Sequence, residues 1–279
     1  MTTVNKNFSY VEAAFEFMPG GDEQSPFWRG FHWGLFSDPE NMDNDPGRYY
    51  AAAEAMTEAV VTAAGITDGR RVLDVGCGFG GTLDHIANRN KGCTLAGINV
   101  DEQQLIRARQ LLADNGRSQT PIPFVTADGC RLPIASGTLD HVLAVECLFH
   151  FPSRKLFFKE VARVLKPGGT LAITDFIAAP GSLHAIVTRT AQSGLGDNSW
   201  YGHQSKPPTV QSYERLGRSV GVPMIVDQDV TKATMPTYPA LRNLYEGAGF
   251  PEGAASVDSL EDLARSGDLG YHVVAFQKN

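Results

Sequence analysis

The sequence predicts an α/β fold with a doubly wound, mostly parallel sheet of seven strands and a helical cap. Three observations support this prediction. Short apolar runs alternate with helical patterns over residues 71–175, a glycine-rich turn follows the first run, and segments rich in proline and glycine interrupt the pattern later. Strands separated by helices need right-handed crossovers and therefore pair in parallel. The predicted architecture is Rossmann-like.

An N-terminal arm precedes the alternating segment. Residues 1–48 contain many aromatic side chains and two Asp-Pro pairs without a sustained period, which predicts a loop-rich arm that covers part of the domain. A run of strong helix formers from Tyr49 to Ala64 predicts a helix that ends at Gly65. We therefore expect an arm or cap at 1–48 and the main domain at 49–279.

Five strands and three helices are predicted within the alternating segment. The strands are Arg71–Val75, Thr94–Asn99, Pro123–Ala127, His141–Val145 and Thr170–Asp175. The helices lie between them at 80–90, 102–115 and 153–165.

The C-terminal third combines two inserts with the last two strands. Glycines and prolines break the alternation over about 178–208, and a helical insert is expected over about 238–265. Between them, a helix over 209–220 opens with Thr209 as N-cap, and a sixth strand follows at Met224–Val230. The final strand is predicted at Tyr271–Gln277. We expect the arm and both inserts to form the cap.

Composition and charge exclude several classes of partner. The 279 residues include 24 Lys and Arg against 31 Asp and Glu, for a net charge of −7, without a basic stripe, so nucleic acid is not expected. Neither an N-terminal leader nor an apolar stretch of about 18 residues is present, which predicts a cytoplasmic protein without membrane association. The four cysteines form no Cys-x-x-Cys pair, so no metal site is predicted. The sequence therefore predicts a small-molecule partner and leaves open whether the chain forms a homo-oligomer.

A glycine-rich turn follows the first strand. Residues 72–80 read Val-Leu-Asp-Val-Gly-Cys-Gly-Phe-Gly, between an apolar strand and a helix. Glycines let a ligand approach the backbone, and a helix N-terminus offers N–H groups, so a nucleotide-like ligand is predicted. A tight turn without a ligand is the alternative. The Gly-x-Gly-x-Gly spacing differs from the Gly-x-Gly-x-x-Gly of dinucleotide-binding dehydrogenases.

This loop and two later segments resemble class I S-adenosylmethionine-dependent methyltransferases of small molecules. Residues 72–80 resemble the family's cofactor loop, 124–129 its adenine segment, and 163–171 its turn into the fifth strand. The resemblance implies S-adenosylmethionine as cofactor. It also implies cofactor-binding roles for five residues: Asp74, Gly76, Gly78, Asp128 and Gly129.

The second strand ends differently from that of many relatives. An Asp or Glu often binds both ribose hydroxyls there, whereas this chain has Asn99, with Gln104 five residues later. An amide both donates and accepts hydrogen bonds, although these are weaker than charge-assisted ones. Asp101 is an alternative, but Gln104 three residues later favours an N-cap role for it. We expect Asn99 and Gln104 to contact the ribose, as in the subgroup that contains sterol C-methyltransferases.

Three side chains near the carboxyl ends of the fourth and fifth strands are candidates for catalysis, since open α/β sheets bind ligands there. His150 with Asp175 resembles the arrangement in rebeccamycin-type sugar O-methyltransferases, which implies His150 as base for an alcohol and Asp175 as its partner. Glu146 would instead stabilise a carbocation during C-methylation of an isoprenoid or sterol-like alkene. The structural alternatives are capping by Glu146 or Asp175 and packing of His150.

Aromatic residues of the arm and cap are candidates for the acceptor pocket. His32 and Trp33 belong to a segment, 30–36, that resembles the piece closing over cofactor and acceptor in the subgroup; core packing is the alternative. Four residues of the first insert are further candidates: His184, Trp200, Tyr201 and His203.

These observations predict methyl transfer from S-adenosylmethionine to a hydroxyl oxygen of a small natural product. C-methylation of an alkene is the main alternative. Two hypotheses come from other classes: a nucleotide-binding dehydrogenase, which the loop spacing disfavours, and a noncatalytic cofactor-binding module, which is expected to lack titratable groups at the cleft.

Overall fold

A seven-stranded sheet forms the centre of the computed structural model, which describes residues 11, 32–43, 45–114, 122–192 and 205–279. The strands are β1 Arg71–Val75, β2 Thr94–Asn99, β3 Phe124–Thr126, β4 Leu139–Val145, β5 Leu165–Ala178, β6 Met224–Asp229 and β7 Leu269–Gln277. Their order is β3-β2-β1-β4-β5-β7-β6. The first five pair in parallel, and β7 is antiparallel to β5 and β6. The predicted Rossmann-like, mostly parallel sheet is confirmed.

Helices cover both faces of this sheet and build its cap. They are α1 Pro46–Ala64, α2 Gly81–Arg89, α3 Glu102–Asp114, α4 Arg154–Val164, α5 Leu183–Gln192, α6 Val210–Ser219, α7 Thr231–Thr234, α8 Thr237–Gly247 and α9 Pro251–Arg265. A short 3₁₀ turn occupies Leu148–His150 after β4. Among the described residues, no helix is both long and apolar enough to cross a membrane.

Helix α1 begins earlier than the sequence suggests. The carboxylate of Asp45 accepts a hydrogen bond from the Gly47 N–H, and Pro46 occupies the first turn, where its missing N–H costs nothing. At the other end, Gly65 has the left-handed backbone of a C-cap (φ 69°). The expected boundary between residues 48 and 49 therefore lies inside the first turn of α1.

Strand β5 is longer than predicted because its first part pairs with the C-terminus. The Gly168 N–H donates to the Lys278 carbonyl at 2.8 Å, and the Lys278 N–H donates to the Gly169 carbonyl at 2.9 Å. Gly168 has a positive φ of 75°, which suits an irregular strand at this position. The predicted strand at 170–175 is therefore the middle of a strand that begins at Leu165 and, through antiparallel pairing with β7, continues to Ala178.

Apolar side chains form a layer on each face of the sheet. Met56 and Val60 of α1 pack in one cluster with Leu143 of β4. Phe157 and Phe158 of α4 pack in a second cluster. Successive residues of a strand point to opposite faces, so the two layers hold the sheet in place and leave its carboxyl edge as the open side.

A buried histidine toward the amino end of β4 gives a testable pH dependence of stability. The Nδ1 of His141 lies 2.8 Å from the Thr170 hydroxyl, which donates to the Ala64 carbonyl, so Nδ1 carries the proton. Its Nε2 is buried without a hydrogen-bond partner among the described residues. Burial lowers the pKa of His141 below 6.5.

Because the unfolded chain binds this proton more readily, the contribution of His141 to stability is present above pH 6.5 and is lost as the pH falls below it. We expect His141→Asn to reduce the fall in unfolding free energy over this window, as measured by urea denaturation at several pH values. An unchanged slope would contradict this account, whatever the absolute stability of the variant.

Candidate functional site

Two neighbouring cavities open at the carboxyl ends of β1, β2 and β4, where doubly wound sheets bind their ligands. The smaller one is lined mainly by the loops after β2 and β3 and by the 3₁₀ turn after β4. The larger one extends from the glycine loop to helices α5, α8 and α9, which are here named the cap helices. Gly76, Gln104 and Glu146 line both, so these three residues mark the junction of the two cavities.

The glycine loop requires glycine for steric reasons. Gly76, Gly78 and Gly80 all have positive φ, at 78°, 52° and 81°. A Cβ on Gly76 would also lie 2.6 Å from the Cβ of Cys147, closer than real contacts allow. The loop can therefore turn sharply into α2 and present its backbone to a ligand.

Asp74 places an unpaired carboxylate oxygen beneath this loop. The residue is 2% exposed, and its Oδ1 has no hydrogen-bond partner among the described residues. Burial raises the pKa of Asp74 to about 7. Since a buried acceptor without a partner is costly, a ligand carrying an ammonium group would satisfy it. S-adenosylmethionine carries such a group at its methionine end, so this feature fits the implied cofactor.

Asn99 and Gln104 meet at the junction of the cavities. The Asn99 amide donates to Gln104 Oε1 at 3.2 Å, and the Gln104 amide donates to Asp101 Oδ2 at 3.2 Å. The other oxygen of Asp101 accepts from the Gln103 N–H at 2.9 Å, as expected for an N-cap. Both amides line the smaller cavity, which suits hydrogen bonding to a diol.

Asp128 and Gly129 also line the smaller cavity. Asp128 Oδ1 accepts from the Cys130 N–H at 2.8 Å, which fixes the carboxylate. A Cβ on Gly129 would lie 2.6 Å from the ring of Phe151, so only glycine lets that ring pack here. Apolar and flat surfaces beside one carboxylate suit a purine base with an exocyclic amine.

Glu146 has an unusual backbone and a fixed side chain. It is the only non-glycine residue with positive φ (52°) in the part of the chain that the structure describes. Its Oε1 accepts from the Trp33 N–H at 2.6 Å and from the Tyr271 hydroxyl at 2.5 Å. Burial raises the pKa of Glu146 to about 8, despite both hydrogen bonds. A strained backbone that aims a carboxyl group at the junction is typical of functional positions.

His150 and Asp175 lie on different sides of the site. His150 lines the smaller cavity and stacks edge-on against Phe149, with ring centroids 4.4 Å apart. Asp175 lines the larger cavity and is fully buried. Its Oδ2 accepts from Arg154 at 2.9 Å and from the Tyr213 hydroxyl at 2.5 Å. Hydrogen bonds from Arg154 and Tyr213 thus occupy the Oδ2 atom of this carboxylate.

Two residues of the arm, His32 and Trp33, line the larger cavity. The His32 ring lies 3.2 Å from the Thr82 hydroxyl. Trp33 is 7% exposed and packs against Tyr271 at 5.5 Å and Tyr238 at 4.7 Å between ring centroids. The packing of Trp33 is thus observed, whereas binding of a ligand by either residue stays a prediction.

Apolar side chains from three cap helices form the far end of the larger cavity. They are Ile186, Leu241, Leu260 and Leu263, with Leu269 of β7. Sequence reasoning missed these residues, although Leu260 and Leu263 share a face at helical spacing. His184 is exposed on α5, and Trp200, Tyr201 and His203 lie outside the described residues.

The charged groups that line the larger cavity disfavour an anionic occupant. Its described lining contains three carboxylates, those of Asp74, Glu146 and Asp175, and one guanidinium, that of Arg154. The guanidinium is already paired with Asp175. In the described part of the chain, no group of three or more His, Cys, Asp or Glu residues is arranged to hold a metal ion.

Known proteins with clear sequence similarity to this chain are methyltransferases. A family profile described as "Methyltransferase domain" matches residues 73–173. The methyltransferase GfsG of Streptomyces halstedii is 32% identical over 215 residues, covering 77% of this chain and 73% of that protein. The 27-O-demethylrifamycin SV methyltransferase of Amycolatopsis mediterranei is 28% identical over 217 residues, covering 77% and 76%.

Two further similarities concern carbon methylation. Sterol 24-C-methyltransferase of Schizosaccharomyces pombe is 36% identical over 170 residues, covering 61% of this chain and 41% of that protein. Geranyl diphosphate C-methyltransferase of Streptomyces coelicolor, solved with Mg²⁺, geranyl diphosphate and S-adenosyl-L-homocysteine, superposes with a TM-score of 0.73 at 16% identity. It covers 98% of this chain and 99% of that one, which supports the fold.

Proposed function

The chain belongs to the S-adenosylmethionine-dependent methyltransferases of small molecules, and we propose that it methylates a hydroxyl oxygen of an uncharged, largely apolar natural product. The larger cavity carries this proposal. Its far wall is apolar, its one described guanidinium is paired, and it meets the cofactor cavity at Glu146. The relative named 27-O-demethylrifamycin SV methyltransferase, whose match covers 77% of this chain and 76% of that protein, is consistent with an oxygen acceptor.

The proposed mechanism assigns separate tasks to the residues of the two cavities. When bound, S-adenosylmethionine supplies an electrophilic methyl group on a sulfonium. Asp74 holds the ammonium end, Asn99 and Gln104 hold the ribose, and Asp128 and Gly129 bind the adenine. His32 and Trp33 exclude water from the acceptor side.

His150 is the proposed base. His150 would accept the proton that the acceptor hydroxyl releases when its oxygen takes up the methyl group, which the bound cofactor would supply. Most of the acceleration comes from alignment of the two reactants. Asp175 does not lie free to pair with the imidazole, because Arg154 and Tyr213 occupy its Oδ2, so we assign it a supporting role.

C-methylation is the second candidate, and the position of Glu146 favours it. The carboxyl group lies at the junction of the cavities, where charge would develop on an alkene during methyl transfer. In its ionised form, Glu146 could stabilise a carbocation there. A prenyl diphosphate acceptor is disfavoured, since the guanidinium that lines the cavity is already paired with Asp175.

Product analysis separates the two candidates. The enzyme would be incubated with ¹³C-methyl-labelled cofactor and a panel of uncharged macrocyclic and polycyclic alcohols, with phosphorylated analogues as matched controls. Transfer to the alcohols and not to the phosphates is expected, with the label on oxygen by NMR. A label on carbon would establish the second candidate, and preference for the phosphates would refute the assigned acceptor class.

Asn99→Ala is expected to weaken cofactor binding by about 1–3 kcal/mol, because hydrogen bonds to the ribose would be lost. The fold should persist, since the site lies at the open edge of the sheet. Calorimetric titration with S-adenosylhomocysteine measures the change. An unchanged dissociation constant would move the ribose contact away from Asn99, and an Asp101→Ala control would test the nearest alternative.

A further inference from the structure

A buried arginine joins three parts of the molecule beside the larger cavity. The side chain of Arg154, at the start of α4, is 11% exposed. Its Nε donates to Asp175 at 3.2 Å and to the Tyr213 hydroxyl at 3.0 Å, and Nη2 donates to Asp175 at 2.9 Å. One guanidinium thereby links α4 to the end of β5 and to helix α6.

The same guanidinium also reaches the first insert. Its Nη1 donates to the hydroxyl of Ser205 and, at 3.2 Å, to the carbonyl of Lys206. Farther along, the Ala178 N–H donates to the Pro208 carbonyl at 2.8 Å. Residues 205–208, here named the strap, are therefore bonded to Arg154 of α4 at one end and to strand β5 at the other.

Ser205 also forms hydrogen bonds with the 3₁₀ turn that contains His150. Its N–H donates to the Phe149 carbonyl at 2.7 Å, and its hydroxyl donates to the same oxygen at 3.1 Å. Phe149 precedes His150 in the 3₁₀ turn, and their rings are in contact. A three-residue turn has few hydrogen bonds of its own, so these two outside bonds restrict its orientation.

We propose that Ser205 and Arg154 are positioning residues that fix the orientation of the 3₁₀ turn, whose Phe149 lines the larger cavity and whose His150 lines the smaller one. The inference rests on the proposed function of His150. The Ser205 hydroxyl accepts from Arg154 while it donates to Phe149, so the strap, the arginine and the turn form one continuous chain of donors and acceptors. Asp175 belongs to this chain as the counterion of Arg154.

A double-mutant cycle tests the proposal. Ser205→Ala keeps the N–H bond to Phe149 but loses the hydroxyl, and we expect turnover at saturating cofactor to fall about tenfold, because a small displacement of a reacting group is costly. Ser205→Thr keeps the hydroxyl and should restore turnover. In a His150→Ala background the Ser205→Ala loss should shrink to below about twofold, because a residue that acts through His150 cannot act without it.

Ser212→Ala is the matched control, since this serine caps α6 near the strap and does not contact the 3₁₀ turn in the bonds described. It should leave turnover unchanged. A tenfold loss that persists undiminished in the His150→Ala background, or full activity of Ser205→Ala, would overturn the positioning role. Near-normal turnover of His150→Ala alone would instead refute the proposed base, so the two failures are distinguishable.

Discussion

His150→Ala is expected to lower turnover by roughly 10²–10⁴-fold, the usual contribution of a positioned proton acceptor. An alcohol is a poor nucleophile until its proton begins to leave, and imidazole is the side chain best suited to accept it near neutral pH. The pH profile of turnover should also lose its acidic limb. Because His150 lines the smaller cavity, where we propose that the cofactor binds, rates are compared at saturating cofactor, with product formation as the measurement.

Glu146→Gln is the decisive companion variant. The isosteric amide keeps the shape of the junction but cannot carry the negative charge that a carbocation requires. If oxygen is methylated, His150→Ala is expected to be the more damaging change; if carbon is methylated, Glu146→Gln is. A His150→Ala enzyme that turns over at a near-normal rate would remove His150 from the mechanism.

Local signals account for the parts of the fold that could be predicted. The bounds of β1 and β2 follow from compact apolar runs between turns, and the C-cap at Gly65 follows from a single glycine. The extension of β5 could not be foreseen, because Lys278 pairs with it from the far end of the chain. Pro46 is predicted to lie in the loop-rich arm but occupies the first turn of α1, where proline is well tolerated.

Part of the candidate site could also be predicted from the sequence, and part could not. Asp74 and the glycine loop belong to one continuous segment, so their proximity follows from the sequence. The partners of Arg154 lie 21 to 59 positions away, and no local pattern brings them together. The sequence also could not show that His150 and Asp175 would line different cavities, since that depends on how the chain turns after the left-handed Glu146.

Asp74→Asn is expected to weaken cofactor binding by about 3–5 kcal/mol, because the ammonium group of the ligand would be buried without its counter-charge. The amide has nearly the same shape as the carboxyl group, so the loop above it should be retained. In the free protein the carboxyl has a pKa of about 7, raised by burial. Without ligand, the stability linked to Asp74 is fully present below its ordinary pKa of 3.8 and is lost as the pH rises from there through about 7.

The affinity for the cofactor should rise with pH, whereas the stability linked to Asp74 falls with pH. Binding requires the carboxylate, so affinity for S-adenosylhomocysteine should fall about tenfold per unit as the pH drops below about 7. The nearby thiols of Cys77 and Cys147 stay neutral, because burial raises the pKa of each well above 9. Glu146, with a pKa raised to about 8, remains in both proteins, so the difference in pH dependence between the parent and Asp74→Asn reports on Asp74 alone.

Calorimetry in two buffers of different ionisation enthalpy would show proton release on binding to the parent enzyme and not to the variant. Equal pH dependence in both would show that Asp74 is not the group that meets the ammonium.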